Sequence, residues 1–236
     1  MHRAATVALA VVGIAATASA APSPRTVPVV ACKAAVGAEG VSPPPIPSRL
    51  PALLTARAAT KLRFFSDGFV TVLAPRAWSC AGVVAADGGE SLSVFPAHQP
   101  NPLRSDHLPP NAAGVTVFVD YTGHGPGAHL VCGLFAATRA AELAARTGGC
   151  APAARRETVR RTRVDVARFD DPPGVRGVGL PSGGANRAVG AIVYPQLRPE
   201  PESVTVSKVT CTAPRSVIGL CPTIVDDFVA RAVPRG

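Results

Sequence analysis

Charge is scarce in this chain. Asp, Glu, Lys and Arg make up 17% of its 236 residues, and aromatic residues only 5%. A wholly disordered protein would carry more charge and fewer apolar residues than the 47% found here. Glycine shows no three-residue period, which excludes collagen. After the N-terminus no run approaches 18 uninterrupted apolar residues, so the sequence predicts no membrane-spanning helix. Lysine is nearly missing, with 3 against 21 arginines. Together with the abundance of Ala, Gly, Pro and Val, this is the residue usage of a GC-rich bacterium. The formal charge of +9 is therefore discounted as evidence for an acidic partner. Proline (25) and glycine (22) are plentiful instead, and proline at that frequency breaks the long helices a coiled coil needs.

The first residues read as an address rather than structure. Met1-His2-Arg3 is a short basic start, Ala4 to Thr17 is uncharged and mostly apolar, and Ala18-Ser19-Ala20 fits a small-x-small cleavage site. That is the pattern of a secretory signal peptide over 1–20, since a membrane span needs roughly 20 apolar residues. No cysteine stands at the cleavage point to carry a lipid. Removing 1–20 takes one arginine and no acid, so the charge falls from +9 to +8. The expectation is a soluble protein outside the cytoplasm, with a proline-rich arm over 21–50 and one domain over 51–236.

All six cysteines, Cys32, Cys80, Cys132, Cys150, Cys211 and Cys221, lie beyond the leader. An even number in an exported chain predicts three disulfides. Fifteen pairings are possible. Proximity favours Cys211–Cys221 and Cys132–Cys150, which leaves Cys32–Cys80. No C-x-x-C or C-x-x-x-x-C pair is present, which argues against structural zinc.

Along the chain, Val41-Ser42-Pro43-Pro44-Pro45-Ile46-Pro47 is polyproline-like, because proline sets φ and brings no amide donor. Residues 51–60 contain good helix formers behind Pro51. Leu62–Phe65 and Phe69–Leu73 flank Ser66-Asp67-Gly68, a hairpin signal, and 79–84 with 91–95 flank a second one at Asp87-Gly88-Gly89. Residues 62–96 thus read as an antiparallel meander. Further strands are expected over 114–121, 158–169, 188–194 and 203–210. An alanine-rich helix is expected over 134–146, and an amphipathic one from Pro222. The predicted class is α+β, an antiparallel β-meander with a few short helices stapled by disulfides.

The segment Ala74-Pro75-Arg76-Ala77-Trp78-Ser79-Cys80-Ala81-Gly82, then Asp87-Gly88 and Leu92-Ser93-Val94-Phe95-Pro96, resembles a phrase of uncharacterised exported bacterial proteins. Those read Ala-Pro-Arg-Gly-Trp-x-Cys-x-Gly before a glycine turn and an apolar strand, and this chain departs from them at Ala77. The resemblance covers about 25 residues and implies export and a β-rich body, with no activity attached. Trp78, the only tryptophan, is expected to pack over a disulfide beside Cys80.

Candidate chemistry is thin. His98, His107, His124 and His129, with Asp106 and Asp120, could supply a general base or zinc ligands, but their H-x4-H spacing falls in a Gly/Pro loop. Ser91 lacks the second glycine of a nucleophile elbow, and Ser182 lies in a turn sequence. Gly177-Val178-Gly179 faintly mimics a dinucleotide loop, with Pro181 where the helix should start. No cofactor or metal is expected. The densest charge cluster is Arg155, Arg156, Arg160, Arg161, Arg163 and Arg168. In an extended strand Arg161 and Arg163 share a face with Asp165. Without interleaved aromatics, single-stranded nucleic acid is not the predicted partner. The reading is an exported non-enzymatic protein that binds an anionic envelope component through Arg160, Arg161 and Arg163. The alternatives are an exported hydrolase using His/Asp residues in 98–129, and a structural module with a protein partner.

Overall fold

Strands begin earlier than the proline content predicts. In the computed structural model, which describes residues 22–37, 41–104, 109–120, 134–135, 158–179, 184–194 and 205–233, the first strand β1 is Ser23–Ala31 and the second, β2, is Lys33–Val36. The expected arm is thus built into the body, and only 41–48 run without regular structure. Two prolines are tolerated in β1 because its ladder is split. Residues 23–28 pair only with β3 (Arg49–Leu54), and 29–31 pair only with β4 (Leu62–Ser66). Each residue of β1 therefore has a neighbour on one side only, so at Pro24 and Pro28 no second strand requires the missing N–H.

Residues 51–54 are strand rather than helix. Ala52 and Leu54 are buried while Pro51 and Leu53 are exposed, a period of two. Only α1, Ala56–Lys61, is helical, started by Thr55 Oγ1, which accepts from the Ala58 N–H at 3.2 Å. The two expected hairpins form. β4 pairs antiparallel with β5 (Thr71–Pro75), and β6 (Trp78–Val84) with β7 (Glu90–Pro96). Gly68 and Gly88 supply the positive φ, 95° and 86°, that their turns require.

Residues 62–96 do not form one meander, because the two hairpins belong to different sheets. The small sheet runs β3-β1-β4-β5. The large one continues from β2 and β6 through β7, β8 (Gly114–Asp120), β12 (Val206–Ala213), β11 (Arg187–Val193) and β10 (Val166–Asp171) to β9 (Thr158–Arg163). Residues 158–169, read as one strand, are therefore the hairpin β9–β10. The helix expected over 134–146 lies outside the described residues except for Leu134 and Phe135. The described architecture is mostly β, with α1 and α2 (Cys221–Ala232) as its two α-helices, so the expected α+β class holds only in part.

One apolar core spans both sheets and α2. Leu54, Phe64, Phe65 and Leu73 from the small sheet meet Leu92, Val94, Val115, Val117 and Val209 from the large one, with Ile224, Val225 and Phe228 from α2. Pro222 in the first turn of α2 suits the position where an amide donor is not needed. Arg231 ties that helix down: it pairs with Asp227 at 2.8 Å, lies over the Phe64 ring at 4.4 Å and donates to the Pro51 carbonyl. Burial pushes the Asp227 carboxyl up, and Arg231 offsets part of that rise. A second cluster on the opposite face joins Leu134 and Phe135 to Ala167, Phe169, Ile192, Tyr194 and Val206.

Two disulfides are described, Cys32–Cys80 and Cys211–Cys221, and none of the described cysteines is free. Cys32 sits where the chain leaves the small sheet for the large one, so its bond to β6 stitches the two together. The expected Cys132–Cys150 pair lies outside the described residues. Trp78 is half-buried against the main core.

Candidate anion-binding edge

β9 forms one edge of the large sheet, opposite β2, and has β10 as its one ladder partner. Its sequence TVRRTR explains the position. An edge strand exposes unpaired amides and carbonyls, and charged side chains there discourage pairing with another chain. Thr158 and residues 160–163 are exposed and only Val159 is half-buried.

The arginines do not share one face as the alternation predicts. Arg160 pairs with Arg168, Arg161 with Ala167 and Arg163 with Val166, with a register shift between Val166 and Ala167. Thr162 is the extra residue of a bulge, which turns the strand after Arg161. Residues paired across a ladder lie on the same side of it. Arg160 and Arg163 therefore stand on the face carrying Val166 and Arg168, and Arg161 stands on the other, beside Ala167.

Neighbouring charges are mostly neutralised. Arg163 Nε lies 3.1 Å from Asp165 Oδ1, and the Asp165 side chain is only 3% exposed. Arg168 on β10 pairs with Asp226 of α2 at 2.6 Å, and Arg187 on β11 pairs with Asp170. The Asp170 hydrogen bond and charge raise the Arg187 guanidinium pKa further. Arg161 stacks over the Phe135 ring at 5.8 Å, and that ring contacts Tyr194 with centroids 5.7 Å apart. Among the described residues no carboxylate pairs with Arg160 or Arg161. Arg155 and Arg156 lie outside the described residues.

Most of the histidine and carboxylate set read over 98–129 lies outside the described residues. His98 is exposed in the turn after β7, and Asp120 is buried at the end of β8. His107, His124, His129 and Asp106 lie outside the described residues. Among the described residues no group of three His, Cys, Asp or Glu could hold a metal. Ser91 is inside strand β7 rather than on a turn, and Ser182 lies outside the described residues.

The glycines at 177 and 179 serve a carboxylate of the chain itself. Asp171, fully buried, accepts from the Gly179 N–H at 2.8 Å, and a Cβ at either glycine would overlap its carboxyl group. Lys208 Nζ donates to the Val178 carbonyl at 2.7 Å and holds the loop from the other side. The likeness to a phosphate-binding loop thus has a structural cause within the protein.

Two buried polar features escape a reading of the sequence alone. Asp67 is 1% exposed. Its Oδ1 accepts from the Phe69 and Val70 amides, and its Oδ2 has no hydrogen-bond partner and lies against Gly82. Burial is the main cause of its raised pKa, and the backbone donors offset part of it. The Asp-Gly turn marks Asp67 locally, but nothing local says that Gly82 of the other sheet comes against it. Ser93, Thr116 and Thr210 form a row of hydroxyls across β7, β8 and β12. The first two are 3.2 Å apart, and the Thr210 hydroxyl is buried without a partner.

No family model, curated protein or solved structure matches this chain.

Proposed function

We propose that the protein works outside the cytoplasm without catalysis and binds an anionic component of the cell envelope along β9. The observation that carries this reading is an asymmetry of charge. Arg168 and Arg187, on the inner strands β10 and β11, are each neutralised by an aspartate, whereas Arg160 and Arg161, on the edge strand β9, are exposed with no carboxylate partner among the described residues. Guanidinium groups left in that state are suited to phosphate or carboxylate oxygens, which they grip with two parallel donors. The signal-like N-terminus and the two disulfides support an oxidising compartment.

The test is retention on an anionic matrix across a salt gradient. Arg160, Arg161 and Arg163 are changed together to Gln and compared with the triple change of Arg57, Arg76 and Arg215, which are exposed on other elements. Both variants lose the same charge. The β9 variant is expected to elute at clearly lower salt, because clustered charge displaces more counterions from one anionic surface. Equal elution would reduce the edge to a solvated strand face.

A further inference from the structure

Between Arg163 and Val166 the β9–β10 hairpin turns on two residues, Val164 and Asp165, and they are treated oppositely. Val164 is 61% exposed, and among the described residues only Leu53, at 62%, is a large apolar side chain exposed to the same degree. Asp165 is folded inward, 2% exposed, and held by Arg163. The tip therefore presents an aliphatic side chain with its only acid hidden and compensated, and behind it stand Arg161 and Arg160. At Leu53, another exposed apolar residue, the surrounding arginines are already engaged. Arg25 donates to the Leu54 carbonyl, Arg49 to that of Thr26 and Arg231 to that of Pro51. At the β9–β10 tip, by contrast, the exposed apolar group stands beside two arginines that no carboxylate among the described residues pairs with.

Resting on the anion-binding reading above, we propose that this hairpin docks on an anionic lipid bilayer, with Val164 entering the acyl boundary and Arg160 and Arg161 meeting the phosphates. The dimensions agree. A strand rises about 3.3 Å per residue, so Arg161 and Arg160 stand roughly 10–13 Å behind Val164. The headgroup layer of one leaflet is roughly 5–8 Å deep. A valine at the base of that layer puts the backbone of Arg160 and Arg161 a few ångströms outside it, from where their long side chains reach back to the anionic headgroups. A bare polyanion would use the same arginines and leave Val164 in water.

The difference defines the experiment. The exported chain, disulfides intact, is sedimented with vesicles of phosphatidylglycerol and phosphatidylcholine and, separately, retained on phosphocellulose. Val164→Asn is expected to weaken vesicle binding about tenfold, the loss from returning one buried aliphatic side chain to water. It should leave phosphocellulose retention unchanged, while the triple arginine variant weakens both. Val164→Trp should bind vesicles more tightly and shift its emission to the blue on binding, which keeps the test open should the Asn variant fold poorly. If Val164→Asn binds vesicles as the parent does and Val164→Trp shows no blue shift, lipid docking is overturned while the anion-binding edge survives. Strong phosphocellulose retention without vesicle binding has the same meaning. If the triple arginine variant loses no more than its control on either surface, the anion-binding reading itself falls.

Discussion

The Cys32–Cys80 bridge offers the sharpest test of how the two sheets hold together. It closes a loop with a sequence separation of 48, against 10 for Cys211–Cys221. Treating the bridge as a constraint on the unfolded chain, a 48-residue loop is worth about 4 kcal/mol at 25 °C and a 10-residue loop about 2.7 kcal/mol. Cys32 is buried at 9% exposure but Cys80 is only half-buried, so replacing both cysteines of the longer loop by Ala adds less loss of packing than at a fully buried pair. The double variant should therefore lose about 4 kcal/mol, a large share of the 5–15 kcal/mol that holds a typical domain. The assay is urea unfolding followed by far-ultraviolet circular dichroism, with the parent and variant compared at equal pH. Because the loss lies in the unfolded state, the released chain exposes more surface and the urea slope should rise with it. A loss under about 2 kcal/mol with an unchanged slope would show that the bridge does not act by restricting the unfolded chain across the sheet junction.

Removing Cys211 and Cys221 in the same way should give a similar total by another route, about 2.7 kcal/mol from the shorter loop plus about 1–2 kcal/mol of packing. Both sulfurs are fully buried, and the urea slope should change less. Asp67 predicts a pH dependence with a definite sign. Its pKa is raised in the folded protein, so its contribution to stability is complete below about pH 4 and is lost as pH rises through the folded value. Asp67→Asn should flatten this fall in a pH series of unfolding curves, and Asp227, raised by burial as well, leaves a residual slope of the same sign. Gly190→Ala should cost about 1–3 kcal/mol in thermal or urea unfolding, because its Cβ would overlap the Val209 carbonyl and the Phe169 ring. Gly219→Ala, where a Cβ meets nothing within 4 Å, should be neutral or slightly stabilising.

What was legible in the sequence was decided locally. The Asp-Gly and Asp-Gly-Gly turns specify the hairpins at 62–75 and 78–96 because the turn residues alone make the required φ accessible. The last helix follows from Pro222 and the spacing of Ile224, Val225, Phe228 and Val229, and Cys211 meets Cys221 because only a short loop separates them. Local signals do not say which sheet a hairpin joins, so the meander read across 62–96 was divided between two sheets by burial of Phe64 and Phe65 on one side and Leu92 and Val94 on the other. They do not say that a proline-bearing strand with one neighbour per residue can thread both sheets, as residues 23–36 do. The arginine cluster shows the same division. Its charge and its place on a strand are plain in the residues. Which arginines keep their charge exposed was decided by the bulge at Thr162 and by Asp165, Asp170 and Asp226 arriving from the turn, the neighbouring strand and the helix. Asp165 is near Arg163 in the chain, but tertiary packing brings Asp170 to Arg187 and Asp226 to Arg168, since the Coulomb attraction that neutralises an arginine acts over a few ångströms in space and takes no account of distance along the chain.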